Sequence, residues 1–302
     1  MSALHHDEHG RSGSTAATEA YTLYDDVAEG AAALVIKRYS TSFSLASRLL
    51  NEPVRTRVCN IYALVRVADE IVDAPRPDGD HDQQLRVLDS LHAEVREAMR
   101  TGRSANLVVH AFARTARACG IGTDLVDPFF QSMRTDLFRT DHDEASFATY
   151  IYGSAEVVGL MCLKAFLIDQ PRPEAQCAEL APGAQRLGAA FQKVNFLRDL
   201  GQDHDALGRT YFPGLDPAAF SDAHRDALLD DIDADLAAAE LALVQLPSSS
   251  RRAVRVAHGL FAELSRRLRE TPAARIRTER VRVPDPVKAR IVLRGSLTGG
   301  RR

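Results

Sequence analysis

Two segments, Asp69-Glu70-Ile71-Val72-Asp73 and Asp199-Leu200-Gly201-Gln202-Asp203, each place aspartates four residues apart. At that spacing both carboxylates share one face of an α-helix and repel one another. A helix gains nothing from such a pair unless a cation sits between them. Taken singly, either pair reads better as a solvated helix face. Taken together, they favour two acidic helix faces opposed across a helical bundle. A hard divalent cation such as Mg²⁺ accepts one or two carboxylates and completes its shell with water and phosphate oxygens.

The flanking residues favour this arrangement. Asp69 ends the apolar run Ile61-Tyr62-Ala63-Leu64-Val65-Arg66-Val67-Ala68, and Arg66 lies three residues before it on the same face. A guanidinium there could hold a phosphate through a bidentate contact. Gln192, Asn195, Asp199 and Asp203 step by three, four and four residues into one polar stripe. Phe191, Val194, Leu197 and Leu200 fill the opposite, buried face. A polar stripe on an otherwise apolar helix must line a cavity or meet another polar group, because buried polar atoms need partners.

Helical periodicity extends over most of the 302 residues. It predicts helices near 21–38, 52–73, 82–100, 104–118, 124–138, 144–168, 180–204, 217–246 and 249–270, separated by Gly, Pro and Asp clusters. No sustained alternation of period two calls for strands. The expected organisation is a disordered tail over 1–20, one all-α domain over 21–270 and a basic C-terminal segment over 271–302 that packs on the site. The 45% hydrophobic content supports a large core. A net charge of −3 gives no reason to expect nucleic-acid binding. Cys59, Cys119, Cys162 and Cys177 lack metal-ligand spacing and read as reduced core thiols. The longest apolar run, Val157 to Ile168, is broken by Lys164 and is shorter than the roughly 18 residues of a membrane span. The N-terminus has no apolar signal region. The expected location is the cytoplasm, with peripheral contact at the inner face of the membrane.

Four blocks carry a family resemblance. They are Tyr39-Ser40-Thr41-Ser42-Phe43; Tyr62 through Asp73; Tyr150-Ile151-Tyr152-Gly153 through Gly159; and Gln192 through Asp203, continuing to Gly208-Arg209-Thr210-Tyr211-Phe212-Pro213. In order and spacing the chain resembles the squalene/phytoene synthases, the head-to-head branch of the all-α isoprenoid synthases. The last block, N-x-x-R-D-x-x-x-D followed by G-R-x-Y-x-P, is the most specific.

The resemblance implies a single-domain helical bundle around a central substrate cavity. It implies Mg²⁺, replaceable by Mn²⁺, held by Asp69 and Asp73 on one wall and by Asn195, Asp199 and Asp203 on the other. Arg66, Arg198, Arg209 and Arg280 would contact diphosphates, with Gln192 beside the first. Arg209 could instead be surface charge, and Arg275, Arg277 and Arg282 compete with Arg280 for its register. Ser40 and Ser42 either cap a helix or hydrogen-bond phosphate oxygens. Phe43 and Tyr150 would offer π faces to a cation along the cavity, or serve as ordinary core aromatics.

The chain departs from the family pattern in two places. Glu156 stands where a glycine is expected to permit a kink, and Tyr39 and Thr41 stand where many relatives carry a basic side chain. A carboxylate beside a carbocation path would quench it, so Glu156 is expected to point away into a salt bridge or solvent, with Gly153 and Gly159 giving flexibility.

The implied activity is condensation of two geranylgeranyl diphosphates to phytoene through a cyclopropyl diphosphate, a step of carotenoid biosynthesis. Fifteen-carbon farnesyl diphosphate, giving presqualene diphosphate, dehydrosqualene or squalene, is the enzymatic alternative. A non-catalytic helical scaffold is the alternative of another class. No G-x-G-x-x-G fingerprint appears, so NADPH is not expected.

Overall fold

The computed structural model describes residues 9–73, 81–170 and 173–297, all helical or looped, with no strand among them. The helices are α1 (His9–Tyr39), α2 (Thr41–Ser47), α3 (Val54–Asp73), α4 (His81–Thr101), α5 (Leu107–Cys119), α6 (Thr123–Phe138) and α7 (Glu144–Ile151). A π-turn, Tyr152–Glu156, joins α7 to α8 (Val157–Leu167). The remainder are α9 (Glu174–Leu207), α10 (Asp222–Leu243), α11 (Ser248–Glu270), α12 (Ala273–Ile276) and α13 (Asp285–Leu297).

Local chemistry explains several boundaries. Asn106 caps α5 by accepting from the amides of Val108 and Val109, and Gly120 ends it at φ 66°. Reciprocal capping boxes start α7 (Asp143 with Ser146) and α10 (Ser221 with His224). Gly208 closes α9 at φ 65°.

Two apolar cores flank the site. One joins α3, α4, α5, α6 and α8 around Ile61, Leu64, Leu88, Phe112, Phe129, Phe130 and Met161. The other joins α7, α9, α10 and α11 around Val194, Leu197, Leu229, Ile232, Leu264 and Leu268. Each large side chain removed from water contributes about 1.5–3 kcal/mol. The bundle is therefore held from both sides while the space between remains open.

The structure differs from the periodicity at six points. Helix α1 begins at His9, not residue 21; residues 1–8 of the expected tail lie outside the described residues. Helix α9 runs back through Pro182 to Glu174. Residues Pro217–Ala219 form a separate 3-10 turn before α10. Helix α2 was hidden by its brevity, and the basic segment folds into α12 and α13, which pack on α9, α11 and α2. Finally, the continuous helical run Glu144–Leu167 is long and apolar enough to cross a bilayer, at a mean hydropathy of 1.3, which corrects the shorter count from sequence. It runs through the middle of the bundle against α3, α6 and α9, with more than half of its span buried.

Candidate active site

The cavity between the two cores has a volume of about 340 Å³, within the range of small-molecule sites. One end is polar, with Arg66, Asp69, Gln192 and Asn195 in the wall. The rest is apolar, running past Phe43, Ala155, Val158 and Phe191 to Phe166, Leu180, Leu243 and Leu246. Helices α2, α3, α8, α9, α10 and α11 all contribute.

Of the four aspartates, Asp69 lines the polar end; Asp73, Asp199 and Asp203 are not among the lining residues, and the two pairs approach each other beside it, where Asp73 acts on Asp203. Asp69 is pushed up to about 7, first by burial and then by the charge of Asp73. Asp203 is likewise pushed up to about 7, by burial and then by Asp199 and by Asp73 across the site. The carboxylates thus repel one another between helices as well as along them. Asp199 is held by Arg198 Nε at 2.9 Å and by Arg280 Nε at 2.9 Å, with Arg280 Nη2 at 3.2 Å. Burial and the nearby Arg198 keep the Arg280 guanidinium below its ordinary range. Of the four competing arginines, Arg280 is the one that pairs with an acidic residue of the site, and it reaches Asp199 from the C-terminal segment. That segment lies so close to α9 that a Cβ at Gly201 would collide with the Arg277 carbonyl.

Among the described residues, no group of three or more His, Cys, Asp or Glu side chains is arranged to hold a metal ion by itself. A Mg²⁺ site needs only one or two carboxylates when substrate oxygens complete it. Crowded, mutually repelling carboxylates with raised proton affinity fit that requirement.

Arg209 is buried at 6% exposure, which rules out surface charge. Its Nη1 donates to Asp73 Oδ1 at 2.8 Å and to the Tyr211 hydroxyl at 3.3 Å, and its Nη2 donates to the Val72 carbonyl at 2.9 Å. Burial alone would lower this guanidinium, but Asp136, Tyr211 and Asp73 outweigh it and hold it above its ordinary range. Arg66 pairs with Glu70 and lies 4.7 Å from the Tyr39 ring centre, while its buried Nε has no partner. Tyr39 thus meets the guanidinium as a π face. Ser40 is the N-cap of α2, accepting from Phe43 N at 3.1 Å. Ser42 is half-buried on α2 and is not among the cavity-lining residues. Phe43 lines the cavity within an aromatic group, 5.6 Å from Phe191 and 6.0 Å from Tyr62.

Of the two readings of Tyr150, the structure favours the core aromatic: it is not among the residues lining the cavity and is buried, donating to Asp136 Oδ2 at 2.8 Å. Glu156 is also absent from the cavity lining and accepts from Gln185 Nε2 at 2.9 Å, a neutral partner in place of the expected salt bridge. Burial raises its carboxyl above the usual range. The backbone irregularity survives without the expected glycine, as the π-turn Tyr152–Glu156. Gly153 and Gly159 prove to be close-packing positions: a Cβ would strike the carbonyl of Pro128 or Ala184. Sequence reasoning passed over Asp136 and gave Tyr211 and Tyr62 no role beyond the matching blocks that contain them. The available signal was Asp136 alone on the apolar face of α6.

Comparison with known proteins agrees with this geometry. The family profile described as squalene/phytoene synthase matches residues 36–286. A 4,4'-diapophytoene synthase from Staphylococcus haemolyticus is 30% identical over 186 residues, 59% of each chain. A 15-cis-phytoene synthase from a Paracoccus species is 27% identical over 259 residues, 78% of this chain and 80% of that one. The chain spans 59% or less of the length of several curated relatives, including 44% of a chloroplastic phytoene synthase from Zea mays. The fold matches a dehydrosqualene synthase crystal structure with a TM-score of 0.75 at 19% identity, covering 92% of this chain and 98% of that one. With the profile spanning the cavity walls and both aspartate pairs, the chain belongs to the squalene/phytoene synthase family.

Proposed function

We propose that this protein joins two geranylgeranyl diphosphates head to head into phytoene, by way of a cyclopropyl diphosphate. The observation that carries the reading is the approach of Asp69/Asp73 to Asp199/Asp203 beside the polar end of an apolar cavity that Asp69 and Asn195 line. Likeness over most of its length to a 15-cis-phytoene synthase supports the twenty-carbon substrate.

Mg²⁺, or Mn²⁺ in its place, would neutralise the charge developing on the leaving diphosphate. Asp69 and Asp73 would hold it from α3, and Asn195, Asp199 and Asp203 from α9. Arg66, Arg198 and Arg280 would take the remaining diphosphate oxygens, with Gln192 as a neutral donor. In the first half-reaction the allylic C–O bond breaks, and the carbon joins the double bond of the second substrate. Loss of a proton then closes the cyclopropane. In the second, the remaining C–O bond breaks, the skeleton rearranges, and a further proton leaves to give the central double bond. Phe43 and Phe191 present π faces to the cations, and the apolar wall excludes water.

The same residues would serve farnesyl diphosphate, and likeness to a diapophytoene synthase and a dehydrosqualene synthase favours that second reading. Incubating the protein with Mg²⁺ and each diphosphate separately decides between them. The proposal expects a forty-carbon product and kcat/KM at least tenfold higher for the twenty-carbon substrate. A preference for the fifteen-carbon substrate installs the second reading, and no condensation with either overturns both. We further propose that the protein works in the cytoplasm and contacts the membrane only peripherally; just over half of the long apolar helical run is buried inside the bundle, which supports a core helix over a membrane span.

A further inference from the structure

Asp136 on α6 is buried at 8% exposure, yet no step of the reaction above uses it. Its two oxygens are both engaged: Oδ2 by the Tyr150 hydroxyl at 2.8 Å and Oδ1 by the Tyr211 hydroxyl at 3.3 Å. A buried carboxylate is costly unless something requires it. Here the two phenols lead outward to both metal walls. On one side, Tyr211 accepts from Arg209 Nη1 at 3.3 Å, and the same nitrogen donates to Asp73 Oδ1 at 2.8 Å. Arg209 is also tied to the end of α3 through the Val72 carbonyl. On the other side, the Tyr211 ring stacks on Phe196 at 3.8 Å and 7°. The Tyr150 ring lies 5.9 Å from Phe196. Phe196 follows Asn195 on α9 and precedes Asp199 by three residues, so the phenols lie against the second wall.

The loops are held in register as well. Thr210 N donates to the Thr140 carbonyl at 2.7 Å, fixing the segment that carries Arg209 and Tyr211 against the start of α7. The His142 ring from the same loop lies 5.1 Å from Tyr150 and stacks with Tyr211 at 6.1 Å.

We propose that Asp136 is a positioning residue that sets the separation and orientation of the two metal-binding aspartate walls, acting through Tyr211 and Arg209 on Asp73 and through the Tyr150 and Tyr211 rings on α9. This rests on the reading of Asp69/Asp73 and Asp199/Asp203 as the metal sites. Partners that orient metal ligands from behind shift metal affinity by ~10–100-fold when removed. The buried Asp136 is shielded from the substrate tails, so its loss acts on metal uptake and leaves lipid selectivity in place.

The test is calorimetric titration of Mn²⁺ into the protein with inorganic pyrophosphate, for wild type, Asp199→Ala, Asp136→Asn and Tyr211→Phe. Tyr211→Phe keeps the ring stacked on Phe196 and removes only the hydroxyl, so it remains informative if Asp136→Asn fails to fold. The expected result is tight Mn²⁺ binding by wild type, loss in Asp199→Ala, and a Kd raised ~10–100-fold in Asp136→Asn. Tyr211→Phe moves the same way by a smaller factor. The preference between fifteen- and twenty-carbon diphosphates, measured at saturating metal, stays as in wild type. If wild type binds and Asp199→Ala does not, while Asp136→Asn and Tyr211→Phe match wild type, the positioning role is overturned and the metal reading stands. If wild type itself does not bind Mn²⁺ with pyrophosphate, both are overturned.

Discussion

Carboxylates crowded beyond what Arg66, Arg198 and Arg209 offset make the polar end of the cavity a place where function opposes stability. Asp69 and Asp203 titrate near 7 because burial and neighbouring aspartates disfavour their charged forms. Both folded values lie above the ordinary carboxylate value, so the native state holds protons that the unfolded chain has released. The stabilisation from those protons is full at low pH and is lost as pH rises from about 4 to about 7. Without divalent cation, the melting temperature should therefore carry a declining component across that window, and Asp203→Asn should flatten it. Divalent cation with pyrophosphate should offset the decline at pH 8. A component that instead rises over the same window would show the carboxylates to be compensated. In the same way, Asp69→Ala should cut turnover by orders of magnitude with little change in melting temperature; a large loss of stability would mark it as structural. Glu156→Gly should leave product identity unchanged, since Glu156 faces Gln185 and not the cavity, and should cost about 0.5–1 kcal/mol of helix stability. A changed product in that variant would place Glu156 among the residues that shape the cavity.

Helices were legible from sequence where their periodicity was strong and their caps were local. The stripe Gln192, Asn195, Asp199 and Asp203 sits in one continuous helix as its spacing requires. The π-turn at Tyr152–Glu156 was not legible, because a one-residue widening leaves the apolar pattern on either side nearly intact. The close approach of α8 to α9 depends on Gly159 meeting the Ala184 backbone, a contact between segments 25 positions apart that no local pattern encodes. Tyr150 was left open between two readings for a related reason: an aromatic residue on a cavity wall and one in the core read alike in sequence, and its partner Asp136 is what distinguishes them. At this scale Phe130, fully buried between α4 and α6 and stacked with His92 at 4.3 Å, should matter to stability alone. Phe130→Ala should cost about 3–5 kcal/mol by denaturant titration. The preference between diphosphates should be untouched; a shifted preference would mean that this core communicates with the cavity.

Across the whole molecule, two apolar cores flank a cavity, and a C-terminal segment packs against helices that line it. Arg280 reaches Asp199 from that segment, and the chain around Arg277 lies against Gly201. The sequence marked this stretch as basic but not as folded, since α12 has only four residues and the ties are to residues far away in the chain. The proposed chemistry has opposed aspartate pairs ionise an allylic diphosphate above an apolar chamber, and rapid-quench turnover of geranylgeranyl diphosphate with Mg²⁺, in wild type and Asp199→Ala, tests it. The expected result is transient cyclopropyl diphosphate followed by a forty-carbon hydrocarbon in wild type, nothing in chelator, and nothing in the variant. Hydrocarbon formed at the wild-type rate in chelator, or by Asp199→Ala, would contradict it.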